Sequence, residues 1–567
     1  MLHYQIEFDD YRQHLIHVTL RFLADPTQVL YLPTWIPGSY LIREFAKHIE
    51  GVKAYDEAGR VLKIQKTEKN KWRLFNTDHE LITVEYDVYA YDLSVRGAYV
   101  DQTRLYLNPA CVCLGLQDQE NKAIEVEVFL PEELKHFQLA TGLKSKSLVK
   151  GRFTLYAENY AQLIDSPFEL AQQERCHFEA QGIAHQFVIS GQHDINMQRM
   201  QQDLEKICRT EIALFGSAPF NDYTFMTMAT GQSYGGLEHA NSTSLITPRH
   251  DLPKLNEPEQ PSVDYQRFLG LCSHEYFHAW LVKFIRPENF VDYDLNREGY
   301  TSLLWIFEGF TSYYDDLILL RSGVINQDAY LKLLKVQLDR YLQNPGRFIQ
   351  TVAESSFDAW IKFYRPDENS NQAGTSYYNK GCLVALCLDL GLRLRGSSLD
   401  QLVRQLYENA KNGIQVNERT IFELCQTLTG DQWVEQINHL IYTTEELPLD
   451  QLLPEFGLSY VLKTDRTLPF GLKLMEKPEG IVIQQVRRDS VAAQAGLSAH
   501  DVIIAINGIK ASITLLEQSA QQQQTLSIVA FRRDELMQFD IQGGCSALTE
   551  VELKIVDQSK VDLWLKA

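Results

Sequence analysis

Runs of alternating apolar and polar residues, rich in β-branched and aromatic side chains, fill the first part of the chain at positions 15–20, 81–89 and 124–130. Side chains of a strand point alternately to opposite faces, so such runs predict half-buried strands. Turn sequences such as Trp35-Ile36-Pro37-Gly38-Ser39 lie between them, as in an antiparallel β-sandwich. No catalytic cluster is legible in this stretch. Near residue 196 the period changes. Residues 197–215 read as an amphipathic helix and residues 223–229 as a strand, and a glycine-bearing loop at 230–236 leads to Leu237-Glu238-His239-Ala240. Helical patterns dominate from 264 to about 453, interrupted by a polar loop at 366–372. The pattern predicts a multidomain α+β chain: residues 1–172, an N-terminal antiparallel β-sandwich; 173–454, a mixed and then mainly α-helical region; 455–547, a small C-terminal domain; and 548–567, a tail.

The length of 567 residues supports several domains, and 45% hydrophobic residues supply their cores. A formal net charge of -20 argues against nucleic acid and anionic lipid as partners. The alternating start, residues 1–8, lacks the basic and apolar regions of a secretory signal, and no run approaches a membrane span. Nine scattered cysteines do not resemble a disulfide framework, so a cytoplasmic location is expected, with Cys111, Cys113, Cys382 and Cys387 as ordinary buried thiols.

Chemistry enters with His274-Glu275-Tyr276-Phe277-His278. On a helix, positions i and i+4 share a face, so both imidazoles reach one Zn²⁺ at about 2.0–2.1 Å. Glu275 then lies beside the water that such a metal acidifies, as the general base of a metallopeptidase. The apolar neighbours at 268–272 and 279–282 predict a buried helix running through the motif, with no proline before Pro287. Two histidines leave the site short of a protein ligand. Glu298 sits in a polar, turn-like setting, whereas Glu308 follows the apolar run 303–307, where a metal would offset the cost of burying a carboxylate. Glu308 is the expected third ligand and Glu298 its competitor. Asp315, seven positions after Glu308, returns to the same helix face and is placed to hold a ligand imidazole by its other nitrogen; Asp316 is adjacent. Zinc, one per chain, suits this donor set, which manganese or cobalt could also occupy.

In the last hundred residues Phe470-Gly471-Leu472-Lys473-Leu474 is followed by Gly480-Ile481-Val482-Ile483, a small-residue segment ending at Gly496-Leu497, and Asp501–Gly508. This order resembles a PDZ domain over about 455–545. Gly471 and Leu472 would form its carboxylate-binding turn if the module takes peptide C-termini, or serve the fold alone. Residues 521–524 read as a solvated helix end.

His274–Trp280 with Glu308-Gly309-Phe310-Thr311-Ser312-Tyr313-Tyr314, a PDZ-like region and an N-terminal β-domain together resemble the glycyl aminopeptidase family over nearly the whole chain. These are gluzincin zinc peptidases distantly similar to aminopeptidase N. In aminopeptidase N the glutamate ligand follows the second histidine by a shorter interval; the longer one here matches the glycyl aminopeptidases. The resemblance implies a thermolysin-like catalytic region. It also implies that Gly235-Gly236-Leu237-Glu238-His239 is the exopeptidase loop, with Gly235 and Gly236 along the peptide and Glu238 on the free α-amine. In Tyr378-Asn379-Lys380-Gly381 it makes Tyr378 the oxyanion donor, with the adjacent Tyr377 as its competitor. The expected activity is removal of small N-terminal residues, Gly or Ala, from peptides with a free N-terminus. The rival readings are a zinc endopeptidase whose substrates are recruited by the PDZ-like module, and a non-catalytic peptide-binding scaffold.

Overall fold

The computed structural model describes residues 1–75, 80–292, 294–430, 433–522 and 524–566. Gln523, within the polar run noted above, lies outside the described residues. The chain forms two compact units. The first comprises Met1–Thr301, Tyr314–Gln327 and Asp400–Thr420, and the second Ser302–Tyr313, Asp328–Leu399 and Ile421–Ala567. The helix Leu304–Arg321 contributes residues to both.

In the first unit, an eight-stranded sheet and two four-stranded sheets share one core, to which Ile6, Val18, Leu20, Leu30, Val84, Leu105 and Phe168 contribute. The alternating runs are strands Leu15–Leu23, Leu81–Tyr89 and Ile124–Phe129. Pairing in the eight-stranded sheet is antiparallel except for Leu2–Glu7 against Ile124–Phe129, which run parallel. The next sheet has five strands in the order Gln173–Ala180, Ile183–Ser190, Asp222–Thr230, Ser242–Pro248 and Gly235–Glu238. Gly235–Glu238 is therefore an edge strand, with one side open to pair with another extended chain.

Helices pack beside this sheet. Met197–Phe215 begins at Asn196, whose side chain accepts from Arg199 N–H, and ends at Gly216 with φ 84°, so both boundaries have local signals. Val263–Phe277 starts at the Ser262 cap. It stops at the second histidine and does not continue through 279–282 as the apolar run suggested. Lys283 N–H donates to the His278 carbonyl and Val282 adopts φ 100°, so Ala279–Val282 form a buried turn instead.

In the second unit, helix Asn379–Arg393 packs against the first turns of Leu304–Arg321 backbone to backbone. A Cβ on Gly309 would lie 2.5 Å from the Gly381 carbonyl carbon, and one on Gly381 would lie 3.0 Å from Gly309 Cα. The C-terminal module has strands Leu472–Lys477, Gly480–Val486 and Val502–Ile506, the short helix Val491–Gln494 and the helix Ile513–Ala520 around a core of Leu472, Ile483, Ile503, Leu516 and Ile528. Beyond it, Cys545–Ile555 pairs with Leu458–Pro469, and a last helix, Gln558–Leu565, buries Trp564. The Trp564 indole N–H donates to the Tyr313 hydroxyl (3.0 Å), which donates to Asp389 (2.8 Å). Among the described residues no helix is long and apolar enough to cross a membrane.

Candidate active site

The motif helix presents His274 and His278 side by side, and the second nitrogen of each ring fixes what the first offers. His274 Nδ1–H donates to Asp315 Oδ2 (3.0 Å), and His278 Nδ1–H donates to the Leu281 carbonyl (2.9 Å). Both Nε2 atoms therefore carry lone pairs, and they stand 3.1 Å apart. Two lone pairs at that separation repel unless a cation lies between them. Two imidazole nitrogens on a tetrahedral Zn²⁺ would be about 3.3 Å apart, so the pair fits such an ion. The buried turn after His278 is what supplies the Leu281 carbonyl, so the early end of the helix serves the orientation of this ring.

Glu308 lies in the first turns of Leu304–Arg321, two helical turns before Asp315, and is 2% exposed. One nitrogen of each imidazole and one Glu308 carboxylate oxygen all fall within 4.8 Å of one another. Glu298 is in an irregular, partly exposed segment outside this group. The donor set of two imidazoles and one carboxylate with outer partners Asp315 and Leu281 suits zinc, and leaves a corner for water or substrate. A second group, His250, Asp251 and Asp264, meets the same spacing, but the Arg267 guanidinium stands 3.6 Å from Asp251 and opposes a cation there.

Glu275 is buried beneath the edge strand. A Cβ on Gly236 would fall 2.2 Å from Glu275 Oε1, so a side chain at this position would displace that carboxylate. Two residues on, Glu238 projects from the same strand face as Gly236. It is 5% exposed, and its Oε1 is buried with no hydrogen-bond partner among the described residues. The strand rise puts the Gly236 and Glu238 positions about 7 Å apart.

Tyr378 precedes helix Asn379–Arg393, with the Phe363 ring stacked on it at 5.1 Å. Burial first, and the Glu308 carboxylate next, push its phenol well above the ordinary range, which keeps it a protonated donor. Tyr377 is wholly buried. Gly471, at φ 79°, uses its N–H in a turn to the Leu468 carbonyl (3.1 Å) and accepts from Arg487 N–H (2.9 Å), while Leu472 belongs to the core of its module.

Sequence reading missed what the N-terminal strands bring to this site. A Cβ on Gly38 would lie 2.2 Å from Glu238 Oε1, and Arg96 donates to the Gly236 carbonyl (3.3 Å). Asp165 accepts from Lys283 Nζ (2.5 Å), His239 Nδ1 (3.2 Å) and Ala240 N–H (3.1 Å), tying the end of the edge strand to the turn after His278. The turn at 35–39 was visible as a turn, but nothing local in it signals a partner two hundred positions away.

Family models match in three stretches: the Peptidase M61 N-terminal domain at residues 3–172, the M61 glycyl aminopeptidase at 267–384 and the PDZ domain at 459–530. Among solved structures, an aminopeptidase N family protein from Idiomarina loihiensis is 39% identical, with 100% of each chain covered and a TM-score of 0.95. An M1 zinc metallopeptidase from Deinococcus radiodurans is 14% identical at a TM-score of 0.48, covering 79% of this chain and 94% of that one. Yeast LTA4 hydrolase in complex with bestatin is 11% identical at 0.48, covering 80% and 69%. No curated protein matched the chain.

Proposed function

This chain belongs to the M61 glycyl aminopeptidase family and is a zinc metallopeptidase, and from that premise we propose that it hydrolyses the first bond of peptides with a free N-terminus. One zinc ion per chain would be held by His274, His278 and Glu308, with Asp315 fixing the first imidazole. When bound, zinc polarises the scissile carbonyl and acidifies water. Glu275 takes the proton of the attacking water and returns it to the leaving amine. The substrate lies along the open side of Gly235–Glu238 as an added strand, past Gly235 and Gly236, and the Glu238 carboxylate pairs with its α-ammonium. Tyr378 donates to the developing oxyanion, a contact that typically contributes about 2.7–4 kcal/mol.

The observation that carries the reading is the spacing along one strand face. A buried carboxylate, Glu238, one oxygen of which has no hydrogen-bond partner among the described residues, stands two residues from the position that Glu275 abuts. A span of about 7 Å leaves room for one amino-acid residue between an anchored amine and the bond under attack. The same strand thereby counts one residue from the N-terminus. A preference for glycine accords with the family's description.

Glycyl and alanyl anilides test the reading. Hydrolysis is expected to stop on chelation and return with one equivalent of zinc, and N-acetylated peptides are expected to resist cleavage. Equal cleavage of acetylated and free peptides would overturn the aminopeptidase reading in favour of an endopeptidase.

A further inference from the structure

The N-terminal β-domain touches the substrate strand at the carboxylate proposed to receive the amine. The contact is a β-turn, in which Ser39 N–H donates to the Ile36 carbonyl (3.1 Å) with Pro37 and Gly38 between. Pro at the second position and a glycine at φ 88° at the third are the signature of a type II turn. The turn is held on both sides. Trp35, buried, donates its indole N–H to the Asp294 and Arg297 carbonyls (3.1 and 2.8 Å). Thr34 N–H donates to the Leu295 carbonyl (2.8 Å), and Arg43 N–H donates to the Thr34 carbonyl (2.8 Å).

Against this fixed turn rests the Glu238 carboxylate. A Cβ at position 38 would meet Oε1 at 2.2 Å, and Oε2 and the carboxylate carbon at 2.7 Å. Contacts that short do not occur, so the missing side chain of Gly38 is the space the carboxylate occupies. Arg96, from the same domain, donates to the Gly236 carbonyl, two residues before Glu238.

We propose that Gly38 is a positioning residue for amine recognition: the Pro37–Gly38 turn is the seat that sets the Glu238 carboxylate where a substrate ammonium meets it. The N-terminal domain thus takes part in choosing free N-termini. This inference rests on the reading of Glu238 as the amine carboxylate, and a double-mutant cycle on the full-length protein separates the two. Gly38→Ala is expected to raise KM for a free-amine alanyl peptide by about tenfold, the scale of one charge-assisted contact, with kcat little changed. Glu238→Ala is expected to erase the preference for free over acetylated peptides. In the Glu238→Ala background, adding Gly38→Ala is expected to change KM no further, because the displaced group is gone.

Effects that add fully in the double variant would mean a structural role for the turn, and would overturn the proposal while leaving the Glu238 reading standing. An unchanged preference in Glu238→Ala would overturn the reading beneath it, and the inference with it. Should Gly38→Ala fail to fold, Gly38→Asn takes its place in the cycle. Asparagine tolerates left-handed backbone yet carries the Cβ, so it is held to the same outcomes.

Discussion

At the residue scale the site is a set of atoms whose second contacts decide what their first contacts do. Asp315 and the Leu281 carbonyl each take one proton-bearing nitrogen, and that alone turns two histidines into two acceptors facing one point. Glu275 is not among those donors, so its removal separates metal binding from proton transfer. Glu275→Gln should lower kcat by about 10²–10⁴-fold, the range of positioned general bases, while metal analysis still finds zinc at the wild-type ratio. A variant that keeps full activity would remove Glu275 from the mechanism. These atoms were legible in the sequence because the motif is local: five consecutive residues and a helix period suffice. Gly38 was not, since its role depends on a carboxylate two hundred positions away arriving at the place where a methyl would be.

Elements explain the difference in legibility more broadly. The helix Met197–Phe215 matches its sequence pattern because its first and last residues are marked by an asparagine cap and a left-handed glycine. The motif helix stops early for a tertiary reason, the buried turn at Ala279–Val282, which apolar composition alone cannot distinguish from another helical turn. Parallel pairing of Leu2–Glu7 with Ile124–Phe129 is likewise beyond local pattern, since alternation gives a strand's faces but not its neighbours. The Gly309 and Gly381 crossing was also hidden, although each glycine follows a residue of distinctive chemistry, Glu308 and Lys380. It brings the start of Leu304–Arg321 against that of Asn379–Arg393, and so sets Glu308 relative to Tyr378. Gly309→Ala should force the two helices apart and destabilise the protein by about 1–3 kcal/mol, read as a lower denaturation midpoint. It should also depress kcat more than KM, because Tyr378, the proposed oxyanion donor, moves relative to the reacting carbonyl. An unchanged midpoint would contradict the close crossing.

For the molecule as a whole, burial of charge gives the site a pH signature independent of catalysis. Lys380 is 1% exposed, and its ammonium has no hydrogen-bond partner among the described residues. Burial, only partly offset by Glu446, pulls its pKa down from 10.5 to about 8. Below pH 8 the lysine is charged in both folded and unfolded chains, and the folded state bears the full cost of hiding that charge. Between about 8 and 10.5 the folded chain has released the proton while the unfolded chain still holds it, so stability should rise with pH through that window. Denaturant titrations across pH 7–10.5 should show this rise, on the order of 3 kcal/mol in total, and Lys380→Met should flatten it. A flat wild-type profile would refute the buried, unpaired ammonium.

Trp564, which closes over Tyr313 five residues after Glu308, also gives the enzyme a calendar. A ribosome makes the metal-binding motif long before it makes that indole. The helix carrying Glu308 therefore gains this interior neighbour only once the chain 251 positions beyond Tyr313 has been made.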